Sequence, residues 1–255
     1  MVNVATNRLI PSRSIEAGDM NTEILGVAVT SASRAEILAQ AVTFLGESRF
    51  HRIATVNPEF LVMADNDPVF KQSLLSADLC VADGIGIVLA GWLRRMNVTR
   101  FPGVDLLHEI LTIAERDGHT VYLFIKKDGL SSYEEIRIAL LKKYPALVVS
   151  GTDALLSGFE NWKLEIGNSA IVLCNYGAPM QELFLANLKE AGVTSQLAMG
   201  VGGSFDFMTG KQKRAPQCLR AVGLEWLWRL ILQPSRFRRI WNAVIVFPMK
   251  VLFRK

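Results

Sequence analysis

The chain alternates between short apolar runs rich in β-branched residues and longer stretches in which apolar positions recur every three or four residues. The short runs at 24–30, 52–56, 79–82, 121–125, 146–150, 170–174 and 196–201 each predict a strand. Helical spacing fills the intervals near 33–47, 58–75, 85–95, 104–117, 131–143, 179–190 and 216–232. Several strand runs are apolar at nearly every position, as a sheet covered on both faces requires. The alternation predicts an α/β fold: a Rossmann-like, largely parallel sheet with helices on both faces. Ligands of such sheets bind beyond the carboxyl ends of the strands, so the strand-to-helix junctions are where chemistry is expected.

The two ends of the chain depart from this alternation. Residues 1–20 mix Asn7, Arg8, Arg13, Glu16 and Asp19 with no apolar signal-peptide core, and are expected to form a disordered leader. Gln233-Pro234 interrupts the last helical pattern, since proline resists continuing a helix. Beyond it the chain is arginine-rich, then apolar over 243–249, then basic again. The expected organisation is a leader (1–20), an α/β catalytic domain (21–215) and a helical basic and amphipathic appendage (216–255). No stretch approaches the roughly 18 uninterrupted apolar residues of a membrane span, so the protein is expected in the cytoplasm. Basic residues around Trp241, Phe247 and Phe253 suit a tail lying in a membrane interface. The alternative is a C-terminal helix packed on the domain, or on a second subunit of a homo-oligomer.

Charge sharpens this picture. Seven of the 28 basic residues follow Glu225 and no acidic residue does, which leaves 21 basic against 24 acidic side chains in residues 1–225. The basic character therefore belongs to the tail, which argues against a nucleic-acid-binding body and for a membrane surface or a diphosphate ligand. Cys80, Cys174 and Cys218 are scattered among apolar neighbours and predict buried free thiols. His51, His108 and His119 lack metal-ligand spacing, so no metal site is expected.

Five junctions carry candidate chemistry. Thr55-Val56-Asn57-Pro58 places Asn57 as a helix cap before proline, while Thr55 beside it fits a polar pocket edge. Asp83-Gly84-Ile85-Gly86 follows an apolar strand; Asp83 either caps the next helix or stands as a general base where two glycines let substrate approach. Arg100 precedes a turn at Gly103 and Asp105, as a phosphate partner or a solvated loop arginine. Gly177-Ala178-Pro179-Met180-Gln181-Glu182 brings a helix start to the sheet edge, with Gln181 and Glu182 in its first turn. Gly200-Val201-Gly202-Gly203-Ser204-Phe205-Asp206 resembles an anion-binding nest without the dinucleotide fingerprint. Asp65-Asn66-Asp67 matches a metal-binding DxD only superficially; before Pro68, a second helix cap is the better reading.

Together these junctions resemble the WecG/TagA/CpsF glycosyltransferases. The resemblance runs from about Ile24 to Arg239 through ATVNPEF (54–60), SADLCVADGIGIVLA (76–90), RFPGVDLL (100–107), YGAPMQE (176–182) and the block from GVGGSFDFMTGKQKRAP through GLEWLWRL to PSRFRR (200–239). It implies inverting, metal-independent transfer of N-acetylmannosamine, N-acetylmannosaminuronic acid or a similar sugar from UDP to an undecaprenyl-diphosphate-linked sugar. No cofactor is implied. Products would be teichoic-acid linkage units or other cell-surface polysaccharides. The implied roles are catalytic base for Asp83, pocket lining for Thr55 and Asn57, and substrate contact for Arg100 and Gln181. Gly202, Gly203 and Asp206 would lie along the nucleotide. An appendage docked on the cytoplasmic face of the membrane would carry Arg229, Arg236 and Arg239 over the active site. The turn Lys126-Lys127-Asp128-Gly129 and the segment Gly151-Thr152-Asp153-Ala154-Leu155 depart from the family pattern, so donor identity does not carry over. A non-catalytic UDP-sugar-binding component of an assembly complex is the alternative function. A dinucleotide oxidoreductase is disfavoured by its missing fingerprint.

Overall fold

A computed structural model describes residues 21–154 and 166–253. The predicted leader and Leu155 of the second divergent segment lie outside the described residues. The chain opens on β1 (Asn21–Ile24) and β2 (Val27–Thr30), an antiparallel pair forming its own small sheet. The run at 24–30 is therefore not one strand of the parallel sheet. Leu25 and Gly26 both take positive φ, 52° and 79°, and turn the chain back in the twist that two-residue hairpins favour. An apolar run interrupted only by glycine hides such a turn.

The main sheet follows. Its strands are β3 (His51–Val56), β4 (Leu79–Ala82), β5 (Val121–Lys126), β6 (Val149–Ala154), β7 (Ile171–Cys174) and β8 (Leu197–Gly200), in the order β4-β3-β8-β7-β5-β6. Every neighbouring pair is parallel. The predicted strand at 146–150 starts and ends later, because the edge strand β6 pairs only with β5 over Val149–Ala154.

Helices α1 (Arg34–Gly46), α5 (Gly103–Asp117) and α6 (Tyr133–Lys143) cover one face. There Leu123 of β5, Leu173 of β7 and Met199 of β8 join their core. The alternate residues Phe124, Val172 and Ala198 face the other way, against Phe184, Leu185 and Leu188 of α7 (Met180–Glu190). On that second face Ala54, Val56 and Ala82 meet α2 (Pro58–Asn66), α3 (Pro68–Leu75) and α4 (Ile85–Leu93). Side chains alternate along a strand with a period of two, so apolar residues at successive positions supply both cores.

Local chemistry sets the helix ends. Ser33 and Ser132 each begin a helix with a reciprocal capping box. The stretch predicted as one helix over 58–75 is two, because the Asp67 carboxylate accepts from the N–H groups of Val69 and Phe70 and Pro68 starts a new helix. The stretch at 216–232 also divides, at Val222–Leu224, into α9 (Gln217–Ala221) and α10 (Glu225–Leu232); the short α8 (Ser204–Met208) precedes them. Cys80 and Cys174 are buried as expected, but Cys218 is exposed. It sits on α9, which buries none of its residues.

After a short turn at Pro234–Arg236 come α11 (Phe237–Trp241), a wide turn and α12 (Phe247–Phe253). Phe247 and Val251 enter the core formed with α2 and α4, while Met249, Leu252 and Phe253 stay exposed. The tail is thus packed on the domain along one face and open along the other. Among the described residues no helix is long and apolar enough to cross a membrane.

A charged pair lies inside the second face. Arg52 of β3 and Glu182 of α7 are each about 1% exposed, with Nη2 and Oε2 3.3 Å apart. Arg52 also donates to the carbonyls of Ser73 and Glu182 and to Ser76 Oγ. Burial raises the Glu182 pKa, opposed by Arg52 and the Gln181 amide. Replacing Arg52 alone by Met strands a buried carboxyl and is expected to cost about 3–5 kcal/mol. Combining Arg52→Met with Glu182→Leu should recover most of that loss, read by urea denaturation of both variants.

Candidate active site

The carboxyl ends of β3, β4, β7 and β8 open into a cleft of about 290 Å³. Thr55 and Asn57 line it from the end of β3, Asp83 from the end of β4, and Asn175, Tyr176 and Gly177 from the end of β7. The glycine-rich turn after β8, with Gly202 and Gly203, and Asp206 of α8 complete its floor. Arg229, Arg236 and Arg239 reach its rim from the appendage.

Asn57 caps α2 by accepting from the Phe60 N–H at 3.0 Å. Asp83 does not cap the helix that follows it: the N-cap of α4 is Gly84, with no side-chain bond. Instead Asp83 Oδ1 accepts from the Gly103 N–H at 2.9 Å, at the start of α5. A Cβ on Gly103 would stand 3.1 Å from Thr55 Oγ1, so the small residue lets α5 begin against both polar groups. One carboxylate oxygen is thereby held, and the side chain borders the cleft.

Enclosure by protein raises the Asp83 pKa above the usual carboxylate value, and Glu225 adds to the rise. The Gly103 N–H, Arg229 and Arg100 oppose it without cancelling it. This carboxyl holds its proton more tightly in the native state than in the unfolded chain.

The three appendage arginines are held by neighbours. Arg229 donates to Glu225 at 2.7 Å and lies over the Phe207 ring, 5.6 Å from its centroid. Arg236 Nε donates to the Gln233 side-chain Oε1, and Arg239 pairs with Glu59 of α2. Burial lowers the Arg236 pKa first, then the repulsion of Arg239 and Arg229; Glu59 and Asp206 act the other way. An anion placed among these groups would relieve that repulsion.

The sequence matches the glycosyl transferase WecG/TagA/CpsF family over residues 22–255. The chain belongs to that family. It is therefore a glycosyltransferase, and the cleft is its candidate site for sugar donor and acceptor.

Within this glycosyltransferase two residues expected to contact substrate also brace the fold. Gln181 is buried: its Oε1 accepts from the N–H groups of Gly177, at 3.1 Å, and Gly202, at 3.0 Å, and its amide donates to Glu182. It ties the two glycine turns of the cleft floor together from below. Gly200 runs so close that a Cβ there would overlap the Gln181 amide and the Glu182 carboxyl. Arg100 is neither a cleft residue nor a solvated loop arginine. Its Nε donates to the Asp83 carbonyl at 3.2 Å, its Nη1 to the Arg220 carbonyl at 2.9 Å, and its Nη2 lies 3.6 Å from Glu225.

Other residues escaped the sequence reading. Arg52 pairs with Glu182, in the first turn of α7. Glu225 and Glu59 hold arginines; Glu225 had a signal in its place four positions before Arg229, whereas Glu59 meets Arg239 from 180 residues away. Arg214 borders the cleft while pairing with Asp105 at 2.8 Å. Asn175 Oδ1 accepts from the Lys126 N–H at 2.7 Å, fixing the turn after β5 beside the cleft. The Asp206 carboxylate accepts from buried Ser131 at 2.8 Å. Of the DxD-like residues, Asp67 caps α3 and Asp65 pairs with Lys250 of the tail.

The raised Asp83 pKa has a consequence for stability. The contribution of this group is fully present below the ordinary carboxylate pKa and is lost as pH rises through the higher native value. At neutral pH the carboxyl makes the fold less stable than an uncharged side chain would, so Asp83→Asn should raise the melting temperature there. The advantage should disappear in acid, below the ordinary carboxylate range, which calorimetry across pH measures directly.

Proposed function

We propose that this glycosyltransferase is an inverting enzyme that moves a sugar from a UDP-sugar to a polyprenyl-diphosphate-linked sugar at the cytoplasmic face of the membrane. N-acetylmannosamine, N-acetylmannosaminuronic acid or a similar hexose is the transferred group, destined for teichoic acid or another cell-surface polysaccharide. One observation carries the reading: Asp83 and three arginines distant in sequence border a single cleft.

Asp83 takes the proton from the acceptor hydroxyl as that oxygen bonds to the anomeric carbon of the donor. The bond from this carbon to the diphosphate breaks on the opposite face, which inverts the configuration, and UDP leaves with the bonding electrons. A general base must be ionised yet basic, and the raised Asp83 pKa serves the second need. Arg229, Arg236 and Arg239 take up the negative charge that develops on the diphosphate. Glu59 and Glu225 hold two of these guanidiniums until phosphate oxygens replace them. Asp206 and the turn at Gly202 and Gly203 line the nucleotide end. Thr55 and Asn57 bound the sugar end, and Gln181 positions the floor. The appendage that brings the arginines also meets the membrane holding the acceptor.

Asp83→Asn should lower kcat by about 10²–10⁴-fold while UDP binding persists. The acid limb of the wild-type kcat/KM profile should lie above the usual carboxylate range. Undiminished turnover in the folded variant would remove Asp83 from the mechanism. Arg236→Ala with Arg239→Ala should cost about 10²-fold or more in kcat, measured as transfer to a short-chain prenyl-diphosphate-sugar. An unaltered rate would reject the role given to the tail.

A further inference from the structure

We infer that the outer end of α4 is a second membrane-docking element, which enters an anionic lipid surface beside the C-terminal helix. The inference rests on the reading that the acceptor is lipid-linked. It concerns a part of the domain distinct from the appendage.

Leu89, Trp92 and Leu93 fall three and four positions apart and form one stripe on α4. Helix stripes of this composition normally face a core, yet all three are exposed, Trp92 at 73%. The opposite side of α4, with Ile87 and Ala90, is buried against the cluster that holds Phe247 of α12. The apolar stripe is therefore additional to what packing uses. Beneath it lies a hollow of about 680 Å³ lined by Val88, Trp92, Leu93, Met96 and Val98, with Arg95 at its rim.

Charge identifies the occupant. Arg94 and Arg95 follow the stripe directly, and no acidic residue stands between Asp83 and Asp105. Among the described residues neither arginine forms an ion pair. Arg95 takes a positive φ of 59°, where glycine would sit without strain. An aromatic and leucine stripe edged by free arginines matches the layering of an anionic bilayer, acyl chains beneath phosphates. A protein partner would more often meet such arginines with carboxylates and leave the hollow filled.

Placement agrees. α4 begins two residues after Asp83, and Trp92 lies about 10 Å further along at 1.5 Å per residue. A bilayer met at Trp92 leaves room for a sugar and its diphosphate to reach from the lipid surface to Asp83. The neighbouring α12 exposes Met249, Leu252 and Phe253, so two adjacent helices present apolar side chains outward. Two contacts fix the tilt of the cleft over the surface, which one helix alone would leave free to swing.

The test is co-sedimentation of the full-length protein with vesicles of phosphatidylcholine alone, or of equal parts phosphatidylcholine and phosphatidylglycerol. Trp92→Ser with Leu93→Ser should weaken partition into the mixed vesicles by about tenfold or more. Arg94→Gln with Arg95→Gln should weaken it by about tenfold on mixed vesicles and leave phosphatidylcholine binding unchanged. Both variants should keep wild-type melting and UDP affinity. As a second measurement on the wild-type fold, bromine-labelled lipid should quench a fluorescence component that Trp92→Phe removes.

Wild-type partition in both double variants, with no quenching of Trp92, would overturn the inference while leaving tail docking intact. A wild-type protein that binds neither vesicle would overturn it together with membrane attachment, whereas Asp83-dependent transfer to a soluble acceptor would survive separately. A dimer in sedimentation that the apolar variant dissociates, with vesicle binding unaffected, would assign this face to self-association and also overturn it.

Discussion

The cleft is shaped by an ion pair that lies wholly inside the protein. Burying Arg52 and Glu182 costs several kcal/mol per ion before their attraction is counted, and among the described residues Arg52 Nε finds no partner. Apolar residues would fill the same space without that cost, so the pair is not explained by stability. Its hydrogen bonds lead elsewhere. Glu182 Oε1 accepts from the Gln181 amide, which leaves the opposite Gln181 oxygen to receive the Gly177 and Gly202 N–H groups. Gln181 has one amide orientation that serves both ends, and the buried carboxylate selects it. Two glycine turns that no packing would hold are thus anchored to the centre of the sheet.

The rim follows a different rule. Arg229, Arg236 and Arg239 converge although each repels the others, and each is restrained by a neutral or acidic neighbour. Glu59 and Glu225 hold two of these guanidiniums at the rim of the cleft. Glu225 has a second effect. It helps to raise the Asp83 pKa, while Arg229 lowers it. An anion that drew Arg229 away from Asp83 would leave the carboxyl more basic.

Much of the frame was legible from sequence because periodicity reports burial. Runs apolar at every position, such as 121–125 and 170–174, do become central parallel strands, and the strand ends do carry the cleft. What failed has identifiable causes. The 24–30 run reads as one strand because a two-residue turn of leucine and glycine leaves no polar mark. Asp83 reads as a cap because its actual partner, the Gly103 N–H, is 20 residues away in sequence. Arg100 and Gln181 sit beside these junctions in sequence, and only their three-dimensional partners show that they brace them. Cys218 follows the same logic, since apolar neighbours along the chain do not bury a residue on a short surface helix. Long-range pairing is the information that a pattern of residue types lacks.

Arg100 also connects the tail to Asp83. Its guanidinium joins the Asp83 carbonyl, the Arg220 carbonyl and Glu225, three groups in the domain core, α9 and α10. On the other side of the same junction, Phe247 of α12 lies against Gly86, in the first turn of the helix that follows Asp83. The appendage therefore grips the Asp83–Gly86 segment from two directions, through hydrogen bonds at one end and apolar contact at the other. A tail that lifts from the domain would release both grips as it withdraws the arginines. The position of Asp83 and the charge on the rim therefore depend together on the packing of the tail.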